Sequence, residues 1–146
     1  EVLARLARVD PPRYSPGVLR GATDEATASF QEGMKAYVAG DYGAAIPSLR
    51  RAARLDTERS DIAFFLATSE LLAGNTAAAV GEFGRTIAME DTPFLEEAHF
   101  FLAKAYLAQG DADRARAELA RVRSLQGERV SEADELLVQL ESAGSE

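Results

Sequence analysis

The chain has 146 residues, 47% of them hydrophobic, and a formal net charge of −8. That is enough for one domain, or one stack of small units, with a continuous core. Its acidity disfavours phosphate backbones and anionic lipid, so no nucleic-acid or membrane-surface partner is expected. The absence of cysteine excludes disulfides, thiolate metal sites and cysteine nucleophiles, and no apolar run approaches the roughly 20 residues of a membrane span.

Residues 1–22 stand apart as an arm. Val2, Leu3, Leu6 and Val9 fall at helical spacing and predict a short amphipathic turn. Asp10-Pro11-Pro12-Arg13-Tyr14-Ser15-Pro16-Gly17 then forbids regular helix and reads as an extended, polyproline-like segment ending at Val18-Leu19. The chain begins at Glu1 without Met and shows no signal-peptide pattern, as expected of a fragment or a processed form.

From Thr23 onward the pattern is helical throughout. Thr23 is expected to cap the first long helix, with Asp24 and Glu25 in its first turn. Gly40-Asp41 breaks that helix, and Asp41 can cap the next. Pro47 lies inside this second helix and should bend it or delay its start. A third helix, Ile62 to Ala73, ends at Gly74-Asn75, and a fourth runs to about Glu90. Thr92 as cap with Pro93 at the first helical position opens the fifth. Gly110-Asp111 separates it from the sixth, and after Gln126-Gly127 a last helix covers 131–141, with Ala133, Leu136, Leu137 and Leu140 on its apolar face and residues 142–146 frayed.

The breaks Gly40-Asp41, Gly74-Asn75 and Gly110-Asp111 recur at a spacing of about 34 residues, each between two helices. Small residues recur in the same frame: Gly33, Ala67 and Ala103 before each break, and Ala45, Ala79 and Ala115 after it. They let two helices approach. Leu49, Phe83 and Leu119 fill the space between them, and Ala52, Thr86 and Val122 meet the following unit. By these residues the chain resembles the tetratricopeptide-repeat family over about three quarters of its length. It departs from the family pattern at Glu32 and Glu70, where apolar or aromatic residues are usual, and at Thr57, Asp91 and Gly127, which replace the closing Pro. The resemblance implies an all-α solenoid: repeats at about 26–59, 60–93 and 96–125, a capping helix, and a tetratricopeptide domain over 23–146.

The resemblance also implies that one stripe on the first helix of each repeat lines the concave groove where ligands bind. Here the stripe is Phe30, Met34 and Tyr37, then Phe64, Thr68 and Leu71, then Phe100, Lys104 and Leu107, with polar Thr27, Asp61 and Glu97 leading each set. Phe65 and Phe101 sit beside it. These helices are therefore apolar on two faces, and hairpin packing covers only one. The second face requires a cover: the arm, through Pro11, Pro12, Tyr14, Val18 and Leu19, a partner's peptide or helix, or a second copy of the chain. Family co-chaperones hold a carboxylate with basic groove residues; here Lys104 alone is basic, which argues for an apolar or aromatic-bearing ligand.

Nothing reads as catalysis, cofactor or metal binding. His99 is the lone histidine, and its neighbour Glu96 at helical spacing lacks the further ligands of a di-iron site. There is no nucleophile elbow or phosphate loop. Glu32 and Glu70 read as partners of Arg, and Arg50-Arg51-Arg54 as a solvated outer face. The expectation is a non-catalytic protein-interaction module. The alternatives are a small-molecule or lipid-like ligand in the same groove, or a homo-oligomeric scaffold. Residues 6–16, followed by Gly33-Met34, Tyr37 and Gly40-Asp41-Tyr42, also resemble the C-terminal region of bacterial membrane-anchored proteins with an anti-sigma-type zinc-binding domain. That resemblance implies an exported, periplasmic tetratricopeptide domain; otherwise a cytoplasmic one.

Overall fold

The computed structural model describes residues 2–14 and 24–144; Pro16, Val18, Leu19 and the expected cap Thr23 lie outside that range. The described residues form α1 (Val2–Leu6), α2 (Glu25–Val38), α3 (Tyr42–Leu55), α4 (Ser60–Leu72), α5 (Thr76–Ala88), α6 (Leu95–Ala108), α7 (Ala112–Leu125) and α8 (Val130–Gly144), with no strand among them. Consecutive pairs from α2 to α7 make three hairpins. Each hairpin packs on the next, and α8 closes the stack against α7. The fold is an all-α solenoid.

The three breaks share one geometry. Gly40, Gly74 and Gly110 take φ of +81°, +90° and +78°, the left-handed region that glycine enters without a side-chain penalty. The next amide returns to the helix in each case: Asp41 to the Ala36 carbonyl at 2.9 Å, Asn75 to Glu70 at 2.8 Å, Asp111 to Tyr106 at 2.9 Å. Asp41 and Asp111 then cap α3 and α7, accepting from the amides of Ala44 and Arg114 at 3.1 and 3.0 Å.

Four local expectations are corrected. Asp24, not Thr23, caps α2, accepting the Thr27 amide at 2.7 Å, because its carboxylate sits one position nearer the first free amides. Pro47 does not delay α3, which starts directly after Asp41 and runs through to Leu55; a proline's fixed φ is helical, and the helix continues without the donor it removes. Thr92 does not cap α6. Its hydroxyl accepts the Phe94 amide at 3.1 Å and closes a turn ahead of the helix, which begins only at Leu95. The last helix does not fray from residue 142 but extends to Gly144, its later turns held by buried Leu140.

The core follows the recurring positions. Gly33, Ala67, Ala103, Ala45, Ala79, Ala115, Leu49, Phe83, Leu119, Ala52, Thr86 and Val122 are all buried. At Gly33 the approach is close: a Cβ there would stand 2.7 Å from Leu49 Cγ and 3.2 Å from the Ala45 carbonyl. Between hairpins runs an aromatic row. Tyr42 meets Tyr37 at 5.4 Å between ring centroids, Tyr37 meets Phe65 at 5.3 Å, Phe65 meets Phe64 at 5.2 Å, and Phe64 meets Phe101 at 6.0 Å. Every residue from Ile62 to Glu70 on α4 is buried, so this central helix is covered on both faces.

Candidate partner-binding face

The arm makes contacts on the α2/α4/α6 side. Helix α1 packs on α6 and α8, and residues 8–14 then run without regular structure toward α2 and α4. Two main-chain carbonyls of the arm are held by side chains of the expected stripe. Lys104 donates through Nζ to the Leu6 carbonyl at 2.7 Å, and Tyr37 donates through Oη to the Pro12 carbonyl at 2.5 Å. Beyond Pro12, the Tyr14 ring enters edge-on between Phe30 at 5.7 Å and Phe65 at 5.4 Å. Beneath the middle of the arm a polar cleft of about 340 Å³ remains, lined by Arg8, Asp10, Lys104, Arg129 and Glu132 among others. The arm is thus fixed at its ends.

Of the nine stripe residues, Phe30, Met34, Tyr37, Phe64, Thr68, Phe100 and Leu107 are buried, while Leu71 and Lys104 are half-buried. They do not share one surface. Phe30, Tyr37 and Lys104 touch the arm. Phe64 lies deeper, against Phe83 of its own hairpin and Phe101 of the next. Thr68 is fully buried and its hydroxyl donates back to the Phe64 carbonyl at 2.9 Å, as threonine does inside a helix. Phe65, which the helical frame places beside the stripe, is the floor of the aromatic seat, in contact with Tyr14, Phe30 and Tyr37.

The residue just ahead of α4, α6 or α8 covers each of the three recurring phenylalanines. Arg59 stands over Phe30 at 5.5 Å, Phe94 stacks on Phe64 at 4.7 Å, and Arg129 stands over Phe100 at 4.8 Å. Arg59 is fixed there by Asp61, at 2.8 and 3.2 Å, and by the Thr27 hydroxyl at 2.6 Å. Sequence reasoning missed these covers. They lie ahead of α4, α6 and α8, outside the helical frame that the stripe follows, and two are Arg where one is Phe.

Burial sets the electrostatics of this face. It pushes the Tyr37 hydroxyl well above the ordinary tyrosine range, and raises Tyr14 with help from the Asp61 charge. It raises Glu97, against the pull of Arg129, and lowers Lys104, against the pull of Glu132 and Asp10.

The remaining polar residues have structural partners. Glu70, 1% exposed, accepts from Arg50 Nη2 at 2.6 Å and Asn75 Nδ2 at 2.7 Å, which is why Asn75 makes no cap on α5. Glu32 is exposed and stands 4.0 Å from Lys35 instead of an arginine. Arg51 and Arg54 are exposed. His99 is buried, its Nδ1 2.6 Å from Glu118 on α7, and the described residues hold no cluster suited to a metal ion.

Residues 30–94 match the tetratricopeptide-repeat family model; the match does not reach residues 6–16, which carry the second resemblance. Among solved structures the fold is similar to the first tetratricopeptide domain of Spaghetti (RPAP3) bound to an HSP90 peptide, with a TM-score of 0.73, 19% identity, and coverage of 84% of this chain and 94% of that one. It is similar to the Yersinia enterocolitica secretion chaperone SycD in complex with a peptide of the translocator YopD, with a TM-score of 0.66, 19% identity, and coverage of 83% and 90%. MamA is similar at a TM-score of 0.64 and 22% identity over 68% of this chain, which spans only 57% of MamA's length. No curated protein matches the sequence significantly. The repeat pattern and the family match make residues 30–94 a tetratricopeptide-repeat segment, and the chain as a whole shares the fold of solved tetratricopeptide-repeat structures.

Proposed function

We propose that the protein is a non-catalytic protein-interaction module whose concave groove takes an extended, apolar and aromatic-bearing segment of a partner protein, in exchange for its own arm. One observation carries this reading: residues 8–14 already lie on the stripe as such a segment, the Leu6 carbonyl just before them held by Lys104, the Pro12 carbonyl held by Tyr37, and the Tyr14 ring seated between Phe30 and Phe65. The groove therefore has the donors and the apolar seat that an extended peptide requires. The peptides in the RPAP3 and SycD structures support the reading by analogy of fold. A resident arm also accounts for how so aromatic a face stays out of water.

The test is amide hydrogen exchange on the full chain, alone and with a partner recovered by affinity capture. Partner binding should speed exchange in residues 2–14 while α2, α4 and α6 keep or gain protection. A partner that leaves the arm protected and shields α3, α5 or α7 places the site on the opposite face and overturns the proposal.

A further inference from the structure

The cleft between α2 and α4 holds two recognition elements at a fixed offset. Tyr37 contributes both. Its ring packs edge-on to Phe65 at 5.3 Å and helps wall the seat, and its hydroxyl donates to the carbonyl of Pro12. The ring filling the seat belongs to Tyr14, two positions after that carbonyl. Two residues of extended chain span about 6.6 Å, so a ring placed one position earlier or later cannot reach the seat while the carbonyl keeps its donor. The hydroxyl of Tyr14 makes no hydrogen bond among the described residues, so what is read is the ring itself. Pro11 and Pro12 hold the segment extended before it docks, which lowers the ordering cost.

The corresponding seat between α4 and α6 is not open to a ligand, because the chain's own Phe94 fills it, stacked on Phe64 and edge-on to Phe65. A docking segment thus needs one ring, not two. Its direction is also fixed: the carbonyl held by Lys104 precedes the one held by Tyr37, so the segment runs from the third hairpin toward the first.

Resting on the groove reading above, we infer that this cleft selects partner segments carrying an aromatic side chain two residues after a main-chain carbonyl bonded to Tyr37, with proline favoured at that carbonyl. The specificity-determining residues are Phe30, Phe65 and Tyr37.

The experiment uses the 146-residue chain carrying Tyr14→Ala, whose arm leaves the seat empty, and a fluorescein-labelled peptide of residues 2–14 followed by anisotropy. The peptide should bind this chain at least tenfold more tightly than it binds the wild type. A Tyr14→Phe peptide should bind within about twofold of the parent. A Tyr14→Ala peptide, and one with Arg13 and Tyr14 exchanged, should bind about tenfold more weakly or worse. Adding Tyr37→Phe to the protein should weaken the parent peptide about three- to tenfold, the range of one hydrogen bond, with the unchanged circular dichroism of that variant showing that its fold is kept. Peptides that bind regardless of the ring or its position overturn the two-residue rule and leave the groove as a docking site. Failure of every peptide to bind either chain overturns the groove reading along with it.

Discussion

The carboxylate of Glu96 on α6 occupies the space that a side chain at Gly127 would need. A Cβ built on Gly127 would overlap Glu96, whose two oxygens accept the amides of Glu128 and Arg129, each at 3.1 Å. An anion at that point satisfies free amides ahead of α8 and meets the positive end of its dipole. Gly127→Ala should therefore lower stability by about 1–3 kcal/mol, the range for overpacking a filled site. In a Glu96→Ala background, itself costing about 1 kcal/mol as the loss of a cap, the same substitution should cost much less. Urea midpoints of the four proteins check the cycle, and equal costs in both backgrounds would show that Glu96 does not set the requirement for glycine.

Gly33 and Leu49 show the same constraint inside a hairpin. In an ordinary helix, replacing Gly by Ala gains about 1 kcal/mol. Here the new methyl would stand 2.7 Å from Leu49 Cγ and 2.9 Å from its Cδ2, in a site with no free volume. The expected net effect of Gly33→Ala is a loss of about 1 kcal/mol, the overpacking cost exceeding the propensity gain. Leu49→Ala should cost about 2–5 kcal/mol alone and distinctly less when combined with Gly33→Ala. A thermal midpoint that rises in Gly33→Ala would mean that Leu49 moves aside freely.

Much of this was legible from residue type and spacing. Gly40, Gly74 and Gly110 mark reversals because their backbone needs positive φ, and the small and large core positions repeat because each hairpin solves the same packing problem. The candidate face was legible only in part. A helical frame says which side Phe64 occupies, but not that Phe94, delivered by an irregular turn, stacks on it. Nor does it reveal that Tyr37 and Lys104 hold carbonyls of a distant segment, since main-chain acceptors are the same in every residue and leave no mark in sequence. Nor does the frame show that the Thr68 hydroxyl is satisfied on its own helix, by the Phe64 carbonyl, which lets the residue be fully buried.

Glu70, Arg50 and Asn75 form a network with a sign change in it. Arg50→Ala leaves the buried Glu70 carboxylate with Asn75 as its remaining partner. Breaking a fully buried pair costs about 3–5 kcal/mol, but the Arg50 side chain is 51% exposed, so screening brings the expectation to about 1–2 kcal/mol. Asn75→Asp would supply the cap that Asp41 and Asp111 give their helices, yet it places a second carboxylate beside Glu70. Repulsion at the buried group should win, making Asn75→Asp destabilising in the wild type and stabilising in a Glu70→Gln background. Chemical denaturation of the four chains measures the coupling; the same sign in both backgrounds would remove Glu70 as the reason for asparagine.

Tyr37 gives the arm a pH limit. Burial raises its folded pKa, so above about pH 10, where unfolded tyrosine ionises, the unfolded chain releases a proton that the folded chain keeps. The folded state then binds more protons, and stability falls as pH rises through that range, while below it the contribution is present in full. Tyr14 acts in the same sense. Lys104 acts oppositely: its folded pKa is lowered, so its part of the stability increases as pH approaches 10.5 from below. Because these slopes overlap in the wild type, the informative quantity is the difference from Tyr37→Phe. That variant loses the bond to Pro12 and should be about 1 kcal/mol less stable at pH 8. At pH 11 the gap should shrink or reverse, since phenylalanine has no proton to retain. Urea unfolding at the two pH values measures it, and a gap that stays constant would mean that the Tyr37 hydroxyl is not held protonated by the folded chain.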